Sequence, residues 1–290
     1  MISIIICSTK PDIPEELKIN ISDTVGIDYE LIVIDNSENR FSIFSAYNEG
    51  LKFAKGDILC FMHEDVSFHS NYWGKGVEEY FEKYTKVGLL GVAGTHYIPQ
   101  MPAAWWDTEM RSGHLLQGSF VDGEYKVIRE DLWDDYKSEP TVVVSVDGLW
   151  MCFKRVVFDH IKWDDKTFDG FHGYDTDISL QVITSGFEVH IFWDIFIEHK
   201  SVGVAGEDFY HSLDLLFQKW GDKLPVIRGV ELSESERKAR MRIVELRHEL
   251  IFVNFKLSNI CQSRAYRWFQ YLHNPMMAFD SIKKHIKHFF

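Results

Sequence analysis

The stretch that most constrains this chain is Gly56–Ser67, GDILCFMHEDVS. Ile58 to Met62 is a short apolar run bounded by turn residues, a pattern that fits a strand buried on both faces. Glu64 and Asp65 arrive together where that strand should end. Ligands of open α/β sheets bind beyond the carboxyl ends of the strands. Two carboxylates there suit a divalent cation and, through it, a diphosphate. A solvated acidic loop is the competing reading of the same pair. Gly56 follows a helical pattern and is expected to cap it in a left-handed conformation.

The chain around this stretch alternates. Ile2 to Cys7 and Glu30 to Ile34 read as buried strands, the second running into the turn Asp35-Asn36-Ser37. Residues 14–22, 41–54 and 72–84 carry helical apolar spacing, and Val87 to Ala93 is a further strand. Such alternation implies crossover connections and a mostly parallel central sheet with flanking helices, an α/β fold. Neither a Gly-rich dinucleotide fingerprint nor a P-loop occurs.

From Thr95 to Pro140 the pattern loosens, and a long loop with a short hairpin near 121–128 is expected; long loops inside compact domains tend to be functional. Adjacent Trp105 and Trp106 offer a sugar-stacking platform or core packing. Neighbouring side chains rarely face the same way, so one of the two is expected in the core. Thr141 to Val146 is a strong strand, Leu149 to Phe153 a second apolar piece, and Lys154 to His160 is helical. FDGFHGYDTDISLQVITSGF then sets Asp175 and Asp177 at the start of a helix capped by Gly186. Val189 to Phe192 is the last strand, with Glu198-His199 after it. Residues 207–220 and 233–255 read as helices.

Composition excludes some classes. An apolar fraction of 46% and an aromatic fraction of 15% are those of a folded chain. A net charge of -13 argues against nucleic acid as a partner. Residues 231–290 nevertheless hold 11 Lys and Arg against 6 Asp and Glu, a net of +5, which leaves -18 on the rest. Phe279, Ile282, Ile286, Phe289 and Phe290 fall on one helical face with Lys283, Lys284 and Lys287 beside it. That pattern suits a membrane-surface helix or a helix packed on the body. Cys7, Cys60, Cys152 and Cys261 show no metal or redox spacing and read as reduced thiols. With neither a signal-peptide pattern nor a spanning run, the expected location is cytoplasmic, with peripheral contact at the inner face of the membrane through the C-terminal helices.

Seven pieces in order, SIIICST, LIVIDNS, AYNEGLKFAKGD, ILCFMHEDV, SVDGLWMCFKR, FDGFHGYDTDISL and IEHKSVG, resemble inverting glycosyltransferases of the GT-A fold, family-2 type, over about residues 1–203. The resemblance implies a GT-A domain over 1–228 with a helical C-terminal extension over 229–290. It implies a nucleoside-diphosphate sugar donor, a UDP-sugar, and a glycan or glycolipid acceptor, as in polysaccharide biosynthesis. It places Thr9 and Asp35 at the nucleoside, Asp57 near the nucleotide edge of the sheet, and Asp147 and Gly148 on the sugar and acceptor side, with Trp150 and Tyr174 also among the substrate-binding residues. Asp65, with Glu64 beside it and His199 arriving late, would hold Mn2+ or Mg2+. Asp175 would be the general base.

The residue types suit that chemistry. A hard cation offsets the charge of a leaving diphosphate, imidazole is better tolerated by manganese than by magnesium, and a carboxylate takes the acceptor proton. Asp175 also suits a helix N-cap, and Asp177 competes for the base role. Asp35 also suits a turn. His63, His96, His114 and His172 are given no role. The family usually has Asp where His63 or Glu64 stands and commonly Glu where Tyr174 stands. Two other functions therefore stay open: a catalytically degenerate nucleotide-sugar-binding protein on the same fold, and a metal-dependent nucleotidyltransferase, for which Lys10 is the lone basic residue near the first strand.

Overall fold

The computed structural model describes residues 1–133, 140–201 and 206–262. They open with β1 (Ile2–Ser8), α1 (Glu15–Thr24), β2 (Tyr29–Asp35), α2 (Ile43–Phe53), β3 (Ile58–Met62), β4 (Val66–Phe68) and α3 (Trp73–Lys83). β5 (Val87–Gly91), β6 (Ala93–Thr95), β7 (Tyr97–Ile98), β8 (Arg111–Val121) and β9 (Glu124–Trp133) follow. Next come β10 (Thr141–Val143), β11 (Ser145–Val146), β12 (Trp150–Lys154), α4 (Tyr174–Thr184), β13 (Glu188–Ile191) and β14 (Ile197–His199). α5 (Glu207–Trp220), β15 (Val226–Ile227) and α6 (Glu234–Gln262) complete the order.

A seven-stranded sheet in the order β10-β13-β5-β12-β3-β1-β2 forms the centre. β1, β2 and β3 are parallel, and so are β5 and β13. β12 enters antiparallel between β3 and β5, and β10 pairs antiparallel on β13. The expected mostly parallel sheet is there, with one reversed strand in its middle. All five residues of β3 are buried. Burying side chains such as Leu59 and Phe61 contributes roughly 1.5–3 kcal/mol each. Ser42 caps α2 by accepting from the Ser45 amide at 3.2 Å. A Cβ at Gly50 would meet Ile5 at 2.4 Å, so this glycine lets α2 settle onto β1.

A second, six-stranded sheet has the order β11-β6-β8-β14-β4, with β9 paired outside on β8. Two expected single strands turn out to be divided between the sheets. The run from Val87 breaks at Val92 into β5 and β6, and the run from Thr141 breaks at Val144 into β10 and β11. The expected loop hairpin is longer than 121–128. It occupies 111–133 and turns at Asp122-Gly123, both with positive φ (55° and 82°), the backbone that Asp-Gly supplies in tight hairpins.

Two local expectations are corrected. Gly56 is not in the left-handed region. It is glycine because a Cβ would meet the Met1 carbonyl oxygen at 2.6 Å and the Ser3 amide at 2.7 Å. Residues 155–159 form a 3-10 turn in place of a helix. Gly186 does cap α4, at φ 90°.

The chain divides into compact units Met1–Met241 and Arg242–Phe290. In the second, α6 exposes Leu246, Leu250, Val253 and Leu257. The amphipathic pattern over 276–290 lies outside the described residues. Among the described residues, no helix is long and apolar enough to cross a membrane.

Candidate active site

The carboxyl ends of β1 and β3, the turn after β11, the start of α4 and the end of β14 converge on one cavity of about 640 Å3. Thr9, Glu64, Asp65, Asp147, Tyr174, Asp175 and His199 all line it.

Three of the lining residues form a triangle. Asp65 Oδ1 lies 3.8 Å from His63 Nδ1 and 3.5 Å from His199 Nε2, and the two ring nitrogens are 3.5 Å apart. A point equidistant from three atoms so spaced lies about 2.1 Å from each, within the bond lengths of small divalent cations to nitrogen and oxygen. The three residues are a group able to hold a metal ion. Burial raises the Asp65 carboxyl, but the hydrogen bond and charge of His199, with Ser201, outweigh it and hold the group below the usual carboxylate range. Burial lowers the affinity of His199 for its proton, and Asp65 more than restores it. Burial and then His199 push His63 down. Gln117, buried, donates to the carbonyl of His199 at 3.2 Å and to that of Ser201, fixing the strand end that carries the imidazole.

Glu64 does not join the triangle. Its carboxylate accepts from Ser8 Oγ at 2.6 Å, from the Thr9 amide at 2.9 Å and from Thr9 Oγ1 at 2.5 Å. It latches the β1 loop. The three residues sit in the bend between β3 and β4, where His63 and Asp65 face His199 and Glu64 faces the β1 loop. The expected pair of neighbouring carboxylates is thus replaced by His63 and Asp65, and His63 is the residue that sequence reasoning passed over. An i, i+2 reading of His-Glu-Asp is the signal that would have found it.

Asp175 sits on another wall. Gly173 occupies the N-cap position of α4, so Asp175 is not the cap. Burial, then the negative charge of Asp147, push its carboxyl up to about 7, against the amides of Thr176 and Gly148 that favour the ionised form. Asp177 faces the interior, 1% exposed. Its carboxylate accepts from Trp220 Nε1, Gln181 Nε2 and Lys219 Nζ, each at 2.7 Å. Lys219 also reaches Asp164 at 2.7 Å. Of the two candidates for a base, only Asp175 reaches the cavity.

The remaining expected residues separate. Asp147 accepts from the Leu149 amide at 2.9 Å, and Gly148 between them lies under Tyr174, whose hydroxyl a Cβ would meet at 2.1 Å. Asp35 ends β2 at the rim. Its Oδ1 accepts from the amide and hydroxyl of Ser37 at 2.9 and 2.7 Å, a turn role, while its neighbour Asn36 lines the cavity. Asp57 is misplaced by the expectation. It precedes β3, at the end of the strand away from the cavity, where its carbonyl accepts from the Arg155 amide at 2.9 Å. Trp150 is fully buried, packed edge-on against Trp73 and stacked with Phe192, and it does not line the cavity. Of the adjacent tryptophans, Trp105 is buried. Trp106 lines the cavity, 38% exposed and stacked on Phe209 at 5.5 Å between ring centroids.

The model of a glycosyltransferase-like family matches residues 3–194, which include β2 to β13, Asp65, Asp147 and Asp175. The chain belongs to this glycosyltransferase family. It is 24% identical over 197 residues to a Fuscovulum blasticum protein described as "ATP synthase subunits region ORF 6", covering 66% of this chain and 71% of that one. Among solved structures it is similar to GalNAc-T7, crystallised with UDP, GalNAc and Mn2+, at a TM-score of 0.50 and 11% identity over 83% of this chain and 54% of that one. The chain thus spans about half of the GalNAc-T7 chain. It is also similar to residues 1–349 of S. aureus TarS, at a TM-score of 0.50 and 13% identity over 91% and 74% of the two chains. These likenesses give the glycosyltransferase its GT-A fold. The family match is to sugar transferases, not to nucleotidyltransferases.

Proposed function

We propose that this glycosyltransferase moves a sugar from a UDP-sugar to a hydroxyl of a glycan or lipid-linked acceptor, with inversion and with Asp175 as the base. The observation that carries the proposal is the placing of a carboxylate with raised proton affinity in the same cavity as the His63, Asp65 and His199 triangle. The first suits a group that must take a proton near neutral pH. The second suits a cation: two imidazoles and one carboxylate favour manganese over magnesium. Mn2+ bound there supplies positive charge beside the diphosphate. That GalNAc-T7, which shares the fold, was crystallised with UDP, GalNAc and Mn2+ supports the same donor class.

The acceptor oxygen gives its proton to Asp175 as it bonds to the anomeric carbon, and the bond from that carbon to the diphosphate oxygen breaks. The nucleoside diphosphate leaves with the electron pair. Attack from the face opposite the leaving group inverts the centre. Thr9, held by Glu64, and Asn36 border the nucleoside end, and Trp106 on Phe209 offers a flat face to an acceptor sugar. Leu246, Leu250, Val253 and Leu257 repeat at i, i+4, i+7 and i+11 along one face of α6, which supports peripheral membrane contact for a lipid-linked acceptor.

The test is product analysis with a panel of UDP-sugars and Mn2+. Release of UDP with a sugar of inverted anomeric configuration on the acceptor is expected. Release of pyrophosphate, or donor binding without any transfer, overturns the reading.

A further inference from the structure

Tyr174 stands where the family commonly has Glu, and its hydroxyl lies 2.6 Å from Nε2 of His63. The other ring nitrogen of His63, Nδ1, is the one facing His199 Nε2 at 3.5 Å and Asp65 Oδ1 at 3.8 Å. The place of the hydroxyl is fixed from several sides. Tyr174 is 6% exposed, with its ring edge-on to Phe44 and Tyr47, and Gly148 leaves room for the hydroxyl that any Cβ would fill. An imidazole that offers Nδ1 to a cation carries its proton on Nε2 and needs an acceptor there to hold the ring. The Tyr174 oxygen stands at that position.

We propose that Tyr174 is the positioning residue for His63 as a metal ligand, selecting the ring nitrogen and the orientation that face Asp65 and His199. The proposal rests on the cation reading of that triangle. It gives the departure from Glu a purpose: a longer side chain, anchored among aromatic rings, reaches across to an imidazole.

Mn2+ binding by the full chain, read from free Mn2+ by electron paramagnetic resonance, tests it in wild type, Tyr174→Phe, His63→Ala and the double variant. Tyr174→Phe keeps the ring and loses only the hydroxyl. We expect it to weaken Mn2+ binding by about 10- to 100-fold, the effect of removing a partner of a metal-bound imidazole. In the His63→Ala background the same change is expected to matter less than about twofold, since the two residues act as one unit. A wild type that retains no Mn2+ overturns the cation reading and the proposal together. A wild type that binds Mn2+ with Tyr174→Phe binding equally well overturns the proposal alone. An equal loss in the His63→Ala background assigns Tyr174 to packing and also overturns it. A measurement free of variants is the 15N imidazole spectrum of wild type loaded with Zn2+. For the His63 ring, bonding through Nδ1 with a proton on Nε2 is expected, beside His199 bonded through Nε2; bonding of His63 through Nε2 overturns the proposal.

Discussion

Asp175 and Asp177 stand two residues apart at the start of α4 and face opposite environments. Asp177 is held in the interior by Trp220 and Lys219 at 2.7 Å each, and Asp175 lines the cavity with its proton affinity raised. Two residues along a helix turn through about 200°, so one carboxylate ties α4 to α5 while the other faces the cavity.

The two carboxylates therefore separate stability from catalysis. Asp177→Ala strands the indole N–H of Trp220 and one side of Lys219, and is expected to cost roughly 2–4 kcal/mol in denaturant unfolding. Asp175→Asn is expected to keep donor binding and lower kcat by about 10^2- to 10^4-fold. Equal loss of stability in both variants would contradict the assignment.

The pH dependence follows from the ionised form of Asp175 being the base. Below about pH 7, its raised value, kcat/KM is expected to rise with pH and then level off. Because burial and then Asp147 raise that value, Asp147→Asn is expected to move the acid limb to lower pH. In folding, a carboxyl raised above its unfolded value contributes stability below the unfolded value that is lost as pH climbs to about 7. Asp175→Asn should flatten that slope in a series of chemical melts.

Glu64 and Asp65, neighbours in sequence, are expected to fail differently. Asp65→Ala should abolish the thermal shift that UDP with Mn2+ gives wild type, a shift of several degrees at saturating ligand. Glu64→Ala should keep Mn2+ binding and raise the donor KM by freeing Thr9. Loss of Mn2+ from the Glu64 variant would restore it as a ligand.

Gly148→Ala places a methyl group 2.1 Å from the Tyr174 hydroxyl. Backbone or ring must shift, at roughly 1–3 kcal/mol. With Tyr174→Ala also present the extra cost should nearly vanish, a coupling that a double-mutant cycle of urea melts would read.

Trp106→Ala is expected to raise the acceptor KM several-fold and leave the UDP and Mn2+ affinities unchanged, because Trp106 with Phe209 lies apart from the triangle. A matching loss of UDP affinity would move the aromatic pair to the donor side.

What could be read from sequence was local. β3 announces itself as an unbroken apolar run and β1 and β2 as mostly apolar ones, and α5 matches its expected 207–220 because its apolar spacing and Gly206 and Gly221 mark its ends. Direction is not local. Nothing in Trp150–Lys154 says that it enters antiparallel between β3 and β5. Nor does a run of valines reveal that it changes sheets at Val144. The place of Asp175 in the cavity was legible because it lies in a Gly-marked helix start; its role as the base is the proposal. The cation triangle was only half legible: His63 gains meaning from His199, 136 residues away; Asp57, placed near the nucleotide edge by the resemblance, lies at the other end of β3.

The crossings at Val92 and Val144 have a mechanical meaning. They run side by side, with Ser145 opposite Thr95 and Val146 opposite Gly94, where a Cβ would meet the Ser145 carbonyl oxygen at 2.2 Å. Two neighbouring seams of this kind join the two sheets through the backbone at adjacent points. Asp147 follows the second seam directly, its amide donating to the Ala93 carbonyl at 2.8 Å, and lines the same cavity as His63 and Asp65. The backbone that joins the two sheets thus also sets where Asp147 enters the cavity.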